Sequence, residues 1–338
     1  MELKDKQSKY DELKKAVEKN IFDSIPQKSN QLNEAYKYIM SGGGKRIRPV
    51  LAMICCGAVG SNPISAVNAA SSIEILHNFT LVHDDIMDNS AMRHGCETVH
   101  LKWNQDVAIL SGDMMVGWAF RLLQMTKIEQ KNQLPESNTI AKLNTVLANA
   151  LIDVCEGQEL DMEFNSRSDV SIGEYINMVK LKTSALLRCA AKLGAIAGNG
   201  STVEISALDL FAENLGIAFQ IQDDILDFSA NNIKFGKKIG QDITEGKKTF
   251  PILKAAELAV EAEDKNLIEK YLQSENGLSE LYVKDFIDVF SRLNIFEIAQ
   301  NETNKYFDLA QKCLSDCAKN EYTDMLSWLL DSLNKRVY

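Results

Sequence analysis

Residues 143–154 read LNTVLANALIDV, and the apolar side chains of this stretch return every three or four positions. That period places them along one side of an α-helix, whereas a half-buried strand would alternate apolar and polar residues. Many other stretches of the 338-residue chain follow the same pattern, only 5 residues are proline, and alternating runs are scarce. The sequence therefore predicts an all-α protein, built as a single large helical bundle with one domain over residues 1–338.

Acidic residues outnumber basic ones, with 47 Asp and Glu against 37 Lys and Arg, and the formal net charge is −10. Such a surface repels phosphate backbones and anionic lipids, so binding to nucleic acid or to a membrane surface is disfavoured. The charged N-terminal segment has no apolar core of the secretory type, and no run of about 20 apolar residues could span a membrane. The 7 scattered cysteines contain no CxxC pair, which indicates reduced thiols and a cytoplasmic location.

Two copies of one acidic pattern occur, HDDIMD at residues 83–88 and QDDILD at residues 222–227. On a helix, the first and last aspartates of each copy are four positions apart and share one face. Such carboxylates repel each other, but together they can bind a hard cation such as Mg²⁺, which completes its shell with water and substrate phosphate oxygens. We expect the two helices to face a central cavity. The predicted metal ligands are Asp84, Asp85, Asp88, Asp223, Asp224 and Asp227.

Two basic segments are candidates for binding the phosphates. Residues 41–49 read SGGGKRIRP, where the glycines allow close backbone approach and Lys45 and Arg48 can donate charge-assisted hydrogen bonds. Residues 235–249 read FGKKIGQDITEGKKT, and a segment so rich in Gly and Lys is typical of a mobile loop that closes over a site. The anionic ligands disfavoured by the net charge are thus acceptable where basic residues and metal ions come together.

The order of the motifs in residues 42–251 resembles that of the trans-isoprenyl diphosphate synthases, or polyprenyl synthetases, and most closely the short-chain geranylgeranyl and farnesyl diphosphate synthases. The resemblance implies an isoprenoid synthase fold, a homodimer, and about two to three Mg²⁺ ions, with Mn²⁺ as a substitute. It also implies that isopentenyl diphosphate is condensed with an allylic diphosphate (dimethylallyl, geranyl or farnesyl), whose prenyl group is transferred while its diphosphate leaves. The expected product is geranylgeranyl diphosphate, with farnesyl diphosphate or a longer polyprenyl diphosphate as alternatives.

The same resemblance assigns substrate contacts residue by residue. Lys45, Arg48 and His77 would bind the diphosphate of isopentenyl diphosphate, and Arg93 would contact the allylic diphosphate. His94 would also belong to the isopentenyl site, where the family usually has a second arginine. Because a neutral imidazole cannot make the bidentate contact of a guanidinium, weaker or more pH-dependent binding is expected.

Further roles follow from the resemblance. Lysines would neutralise the departing allylic diphosphate, and two side-chain oxygens would face the reacting carbons. The lysines are Lys182, Lys237 and Lys247, and the oxygens belong to Thr183 and Gln220. Asp242 resembles an additional acidic position in the mobile loop. Phe79 and Thr80, the fifth and fourth residues before Asp84, would limit product length, because a large residue at the fifth position blocks the path of the growing tail.

Three other classes of protein deserve comparison with this pattern. A helical HD-type phosphohydrolase would use His83 and Asp84, but it needs later histidine ligands, and the last histidine of this chain is His100. A terpene cyclase combines one DDxxD motif with a different metal motif and lacks the glycine and lysine segment at 41–49. A non-catalytic subunit of a heteromeric prenyl synthase would show eroded motifs, and His94 is the departure that favours it.

Overall fold

The computed structural model describes residues 3–25, 29–128, 138–228 and 239–335. These residues form sixteen α-helices, and the prediction of an all-α protein is confirmed. The helices are α1 (Leu3–Ser24), α2 (Gln31–Ser41), α3 (Ile47–Ala58), α4 (Val67–Met87), α5 (Val99–Lys102), α6 (Gln105–Leu123), α7 (Thr139–Ser166), α8 (Ile172–Val179), α9 (Ala185–Ala197), α10 (Thr202–Leu226), α11 (Gln241–Glu245), α12 (Phe250–Leu258), α13 (Ala262–Leu272), α14 (Val283–Arg292), α15 (Ile295–Cys313) and α16 (Glu321–Asn334).

Several helices begin at residues whose side chains satisfy the first free backbone donors. Asn30 caps α2 by accepting a hydrogen bond from the N–H of Asn33, and Asn104 caps α6 in the same way. At Ser171 the cap is reciprocal, because the Ser171 hydroxyl and the Glu174 carboxylate each accept from the other residue's backbone N–H. Such caps contribute about 1 kcal/mol each and fix where these helices start.

The strands in the described part of the chain are β1 (Met92–Arg93) and β2 (Cys96–Glu97), which pair antiparallel just after α4. His94 and Gly95 join them, with φ angles of 51° and 77°. A two-residue hairpin turn of this hand requires positive φ at both central positions. The hairpin therefore holds Arg93 and His94 in fixed positions next to the end of α4.

The chain divides into two compact units, and the prediction of one domain stays a prediction. The first unit comprises Met1–Leu151, Leu186–Asp209 and Leu314–Trp328, and the second comprises Ile152–Ala185, Leu210–Cys313 and Leu329–Tyr338.

In the first unit α4 packs against α3 and α6, and every residue of α3 from Pro49 to Ala58 is buried. In the second unit α12 packs against α13, α14 and α15 around an aromatic cluster that includes Phe228 and Phe290, whose ring centroids are 5.0 Å apart. Phe228 follows the last aspartate of the second acidic motif, so this cluster anchors the end of α10. None of the helices in the described ranges combines the length and the apolar character needed to cross a bilayer.

Candidate active site

The first aspartate motif (Asp84, Asp85 and Asp88) lies at the C-terminal end of α4. Asp88 ends the helix, and its N–H donates to the carbonyl oxygen of Asp84 at 2.8 Å, which is the helical spacing predicted from the sequence. The Asp88 side chain is exposed and that of Asp84 is half-buried. The C-terminal end of a helix carries partial negative charge, so two carboxylates there are unfavourable until a cation joins them.

Asp85, the middle residue of this motif, points inward and is 4% exposed. Its Oδ1 accepts hydrogen bonds from Nε and Nη2 of Arg93 at 2.9 and 2.6 Å. The structure thus brings together two predicted site residues as an ion pair that ties the hairpin to α4. A role of Asp85 as a metal ligand, and of Arg93 as a substrate ligand, stays a prediction.

The second aspartate motif (Asp223, Asp224 and Asp227) occupies the corresponding end of α10. The N–H of Asp227 donates to the carbonyl oxygen of Asp223 at 3.0 Å, and the Asp223 side chain is exposed. The backbone N–H of Asp242 donates to Oδ2 of Asp227 at 3.1 Å. Burial, followed by the charges of Asp227 and Asp224, raises the pKa of Asp242 well above its usual range. Crowded carboxylates of this kind favour a bound cation.

Asp224 repeats the inward arrangement of Asp85, and it is 3% exposed. Its Oδ2 accepts from the Tyr175 hydroxyl at 2.6 Å and from the N–H of Phe250 at 3.1 Å, while Oδ1 accepts from Nε2 of Gln220 at 3.0 Å. Burial raises the pKa of Asp224 to about 7, although these hydrogen bonds oppose the shift. The Thr183 hydroxyl donates to Oε1 of Gln220 at 2.8 Å, so the two oxygens predicted to face the reacting carbons are in contact.

The donor atoms of the two motifs fit a hard divalent cation. Each motif presents two carboxylates four positions apart, and its middle carboxylate is engaged inside the protein. In the described ranges no cluster of three or more His, Cys, Asp or Glu side chains forms a complete metal site. Mg²⁺ suits such incomplete oxygen sets, because it binds one or two carboxylates and keeps positions for water and phosphate oxygens.

A basic cavity that opens to solvent lies in the first unit beside α4. The four residues predicted to bind isopentenyl diphosphate line it together with the backbone of Gly43 and Gly44; they are Lys45, Arg48, His77 and His94. Nη1 of Arg48 is 3.1 Å from Nε2 of His77. Burial, and then the charges of Arg48 and Arg93, lower the pKa of His77 well below its usual value. His77 is therefore neutral and accepts a hydrogen bond from Arg48.

Arg46, between the two predicted phosphate ligands of this loop, also lines the cavity but is only 6% exposed. Its Nη1 lies 2.6 Å from Oε1 of Glu74, and its Nη2 donates to the carbonyl oxygen of Met40 at 2.7 Å. Its φ is 54°, a left-handed conformation that costs a residue with a side chain about 1–2 kcal/mol. The buried ion pair holds this strained turn in place, and with it Lys45 and Arg48. Glu74 was missed, although a carboxylate between two isoleucines, Ile73 and Ile75, was a usable signal.

A second residue that sequence reasoning missed is Asp161, on α7. Its Oδ2 accepts hydrogen bonds from Nζ of Lys182 at 2.6 Å and from Nζ of Lys247 at 2.9 Å. Burial raises the pKa of Asp161, but the two ammonium groups outweigh it and hold the pKa below its usual value. Asp161 follows the buried Val154 and Gln158 at helical spacing, so a carboxylate on a buried face was the available signal.

The remaining predicted residues are placed as follows. Lys182 and Thr183 lie in a π-helical segment, Lys180–Ser184, which joins α8 and α9 and is often a mark of functional sites. Lys237 lies outside the described residues. Phe79 and Thr80 are half-buried on α4; the Phe79 ring contacts the His83 ring edge to face at 4.7 Å, and the Thr80 hydroxyl donates to the carbonyl oxygen of His77.

Comparisons with known proteins agree with the motif order. A model of the family named polyprenyl synthetase matches residues 29–287. A short chain isoprenyl diphosphate synthase of Methanothermobacter thermautotrophicus is 35% identical over 337 residues, which are 99% of each chain. A geranylgeranyl diphosphate synthase of Saccharolobus solfataricus is 37% identical over 301 residues, 89% of this chain and 88% of the relative.

Among solved structures, geranylgeranyl pyrophosphate synthetase from Pyrococcus horikoshii Ot3 superposes with a TM-score of 0.89 at 34% identity, covering 99% of both chains. The family resemblance inferred from the motifs is confirmed. Since the family model spans most of the sequence and relatives align over nearly its whole length, this chain belongs to the polyprenyl synthetase family.

Proposed function

We propose that this prenyltransferase condenses isopentenyl diphosphate with an allylic diphosphate and that its product is geranylgeranyl diphosphate. The observation that carries the proposal is the arrangement along α4, where the basic cavity at His77 and the carboxylates of the first aspartate motif belong to one helix. His77 and Asp84 are seven positions apart on α4, which is about two helical turns and about 10 Å. One rigid element thus supports both a diphosphate site and a cation site.

The basic cavity is suited to a diphosphate that stays attached to its substrate throughout the reaction. Lys45, Arg48 and His94 offer donors to phosphate oxygens, and the glycine backbone allows those oxygens to approach closely. The neutral His77 orients the guanidinium of Arg48 and adds no charge of its own. Isopentenyl diphosphate keeps its diphosphate through the reaction, so this cavity is the site proposed for it.

On the family resemblance, the aspartate motifs are proposed to hold the allylic diphosphate through Mg²⁺, and Arg93 and the lysines that bind Asp161 are proposed to contact its oxygens and to promote departure of the diphosphate. Magnesium, when bound by the outer carboxylates, supplies Lewis-acid stabilisation of the charge that develops on the leaving diphosphate. Lys182 and Lys247 add positive charge, and Asp161 holds both ammonium groups in place before substrate arrives. Lys237 is proposed to act with them, on resemblance alone.

The hydroxyl of Thr183 and the amide oxygen of Gln220 are proposed to face the allylic cation, since their dipoles favour positive charge. The double bond of isopentenyl diphosphate then forms the new carbon–carbon bond, and the released diphosphate takes up the proton that is lost. The product is five carbons longer than the allylic substrate. No side chain is required as the base.

Product length is proposed from Phe79 and Thr80, a large residue followed by a smaller one, and from the geranylgeranyl synthases among the relatives. Farnesyl diphosphate and longer products are the alternatives. A homodimer in the cytoplasm is proposed from the family resemblance and from the seven cysteines, which are reduced.

A product assay tests the proposal. Purified protein is incubated with Mg²⁺, labelled isopentenyl diphosphate and, separately, dimethylallyl, geranyl or farnesyl diphosphate, and the products are extracted into butanol and separated by reversed-phase chromatography. We expect a C20 product from each primer. Asp84→Ala should abolish it, whereas Asp113→Ala, which removes an exposed carboxylate from α6, should leave it unchanged. Protein that yields no extractable product with any primer would instead support a non-catalytic subunit.

A further inference from the structure

Gly112 lies on α6 directly against two aromatic side chains of α4. A Cβ atom at Gly112 would be 2.4 Å from Nε2 of His83 and 3.3 Å from Cδ2 of Phe79. Nε2 of His83 is also 3.3 Å from the carbonyl oxygen of Ile109, one turn earlier on α6. The imidazole therefore occupies space that exists because residue 112 has no side chain.

His83 in turn supports Phe79. The two residues are four positions apart on α4, so they lie one above the other on the same face. Their rings meet edge to face with centroids 4.7 Å apart, an arrangement that favours one orientation of each ring. The position of the Phe79 ring thus depends on where His83 lies, and His83 depends on the absence of a side chain at Gly112.

We propose that Gly112 and His83 are specificity-determining residues that set product length by positioning Phe79. This inference rests on the proposed function, in which Phe79 ends the space open to the growing prenyl tail. Phe79 alone does not define that boundary. The boundary is a packed unit of three residues on two helices, and a change in any one of them moves the ring that stops chain growth.

The geometry gives a direction for each change. A methyl group at residue 112 overlaps the imidazole, since ordinary contacts between carbon atoms are about 3.5–4.0 Å. The atoms it meets are the ends of side chains, so the rings can move without displacing either helix. Gly112→Ala pushes both rings away from α6, whereas His83→Ala removes the support and lets Phe79 turn toward α6, so the two variants should shift product length in opposite directions.

Gly117 provides a matched control on the same helix. It is exposed, and a Cβ atom there would have no neighbour within 4 Å. Gly112→Ala and Gly117→Ala therefore change the helix propensity of α6 equally, but only the former meets the aromatic pair.

The experiment measures the ratio of C15 to C20 to longer products from geranyl diphosphate, by reversed-phase chromatography, at equal substrate conversion. Gly112→Ala is expected to change the C15 to C20 ratio at least about threefold, equivalent to about 0.7 kcal/mol. Gly117→Ala should match the wild type, and His83→Ala should shift the product distribution in the direction opposite to Gly112→Ala.

A folded Gly112→Ala variant with the wild-type product ratio would overturn the inference. If Gly112→Ala does not fold, His83→Ala provides the test, and a wild-type product ratio in that variant would also overturn the inference. A wild-type protein that makes no prenyl product rejects the proposed function itself, whereas an active wild type with insensitive ratios rejects only the role of Gly112 and His83.

Discussion

Glu74→Gln removes the charge that compensates Arg46 inside the first unit. The two side chains are 5% and 4% exposed, and their ion pair is 2.6 Å long. Removing one partner of such a pair leaves the other charge buried and costs about 3–5 kcal/mol. Glu18, whose Oε1 lies 3.6 Å from Nε of Arg46 and which is one-third exposed, offsets part of that cost. We expect the free energy of unfolding to fall by about 2–4 kcal/mol.

The same substitution should act selectively on one substrate. The ion pair holds the left-handed turn at Arg46, on either side of which lie Lys45 and Arg48. A loosened turn weakens their contact with isopentenyl diphosphate, and a loss of about 1.4 kcal/mol corresponds to a tenfold rise in KM for that substrate. The KM for the allylic substrate should change less than about twofold, because its proposed ligands lie elsewhere in the chain.

Urea unfolding and initial rates with each substrate varied in turn measure both effects. Glu257→Gln is the matched control, because it breaks an exposed pair with Lys254 and should cost less than about 0.5 kcal/mol. The double variant Arg46→Met with Glu74→Gln removes both charges and should recover most of the lost stability. A free energy of unfolding for Glu74→Gln within about 0.5 kcal/mol of the wild-type value, together with an unchanged KM for isopentenyl diphosphate, would refute this role of the ion pair.

Three further substitutions test other parts of the structure. Asp161→Asn removes the carboxylate that holds the ammonium groups of the two lysines, and we expect kcat to fall about 10- to 100-fold. The control Glu163→Gln, on the same helix, should keep the wild-type kcat. Equal kcat values for the two variants would refute the role of Asp161 in placing the lysines. Phe79→Ala should give products longer than C20 by reversed-phase chromatography, and an unchanged pattern would contradict its role in chain length. Burial lowers the pKa of Lys248 to about 8. Because the unfolded chain keeps that proton to higher pH, wild-type stability should rise between about pH 8 and 10, and Lys248→Met should remove this rise in urea unfolding.

The helices and the paired aspartates could be predicted because both depend on local spacing. Apolar residues at intervals of three and four define one buried face, and carboxylates four positions apart must share a face whenever the segment is helical. The N–H of Asp88 bonded to the carbonyl of Asp84, and the same bond from Asp227 to Asp223, show that the spacing was interpreted correctly.

The partners of the buried charges could not be predicted in this way. Arg46 and Glu74 are 28 residues apart, and Lys247 and Asp161 are 86 apart, so which groups meet depends on how distant helices pack. A sequence shows that a buried carboxylate needs a partner, but it does not show which of the 37 basic residues supplies it. The left-handed turn at Arg46 could not be predicted for a related reason, because only the assembled ion pair offsets the strain of that conformation.

In both aspartate motifs the middle carboxylate has a different environment from the two outer ones, which suggests a separate role for each. The middle aspartate is buried and fully engaged, Asp85 by Arg93 and Asp224 by a hydroxyl, an amide and a backbone N–H. Its hydrogen bonds fix the end of the helix, and the two outer carboxylates are then held on one face at the end where the helix dipole is negative. A cation bound by the outer pair would relieve their repulsion and leave the hydrogen bonds of the inner residue in place. On the proposed function, the excess of acid along the chain therefore includes carboxylates whose repulsion would favour binding of positive charge at these helix ends and, through it, of an anionic substrate.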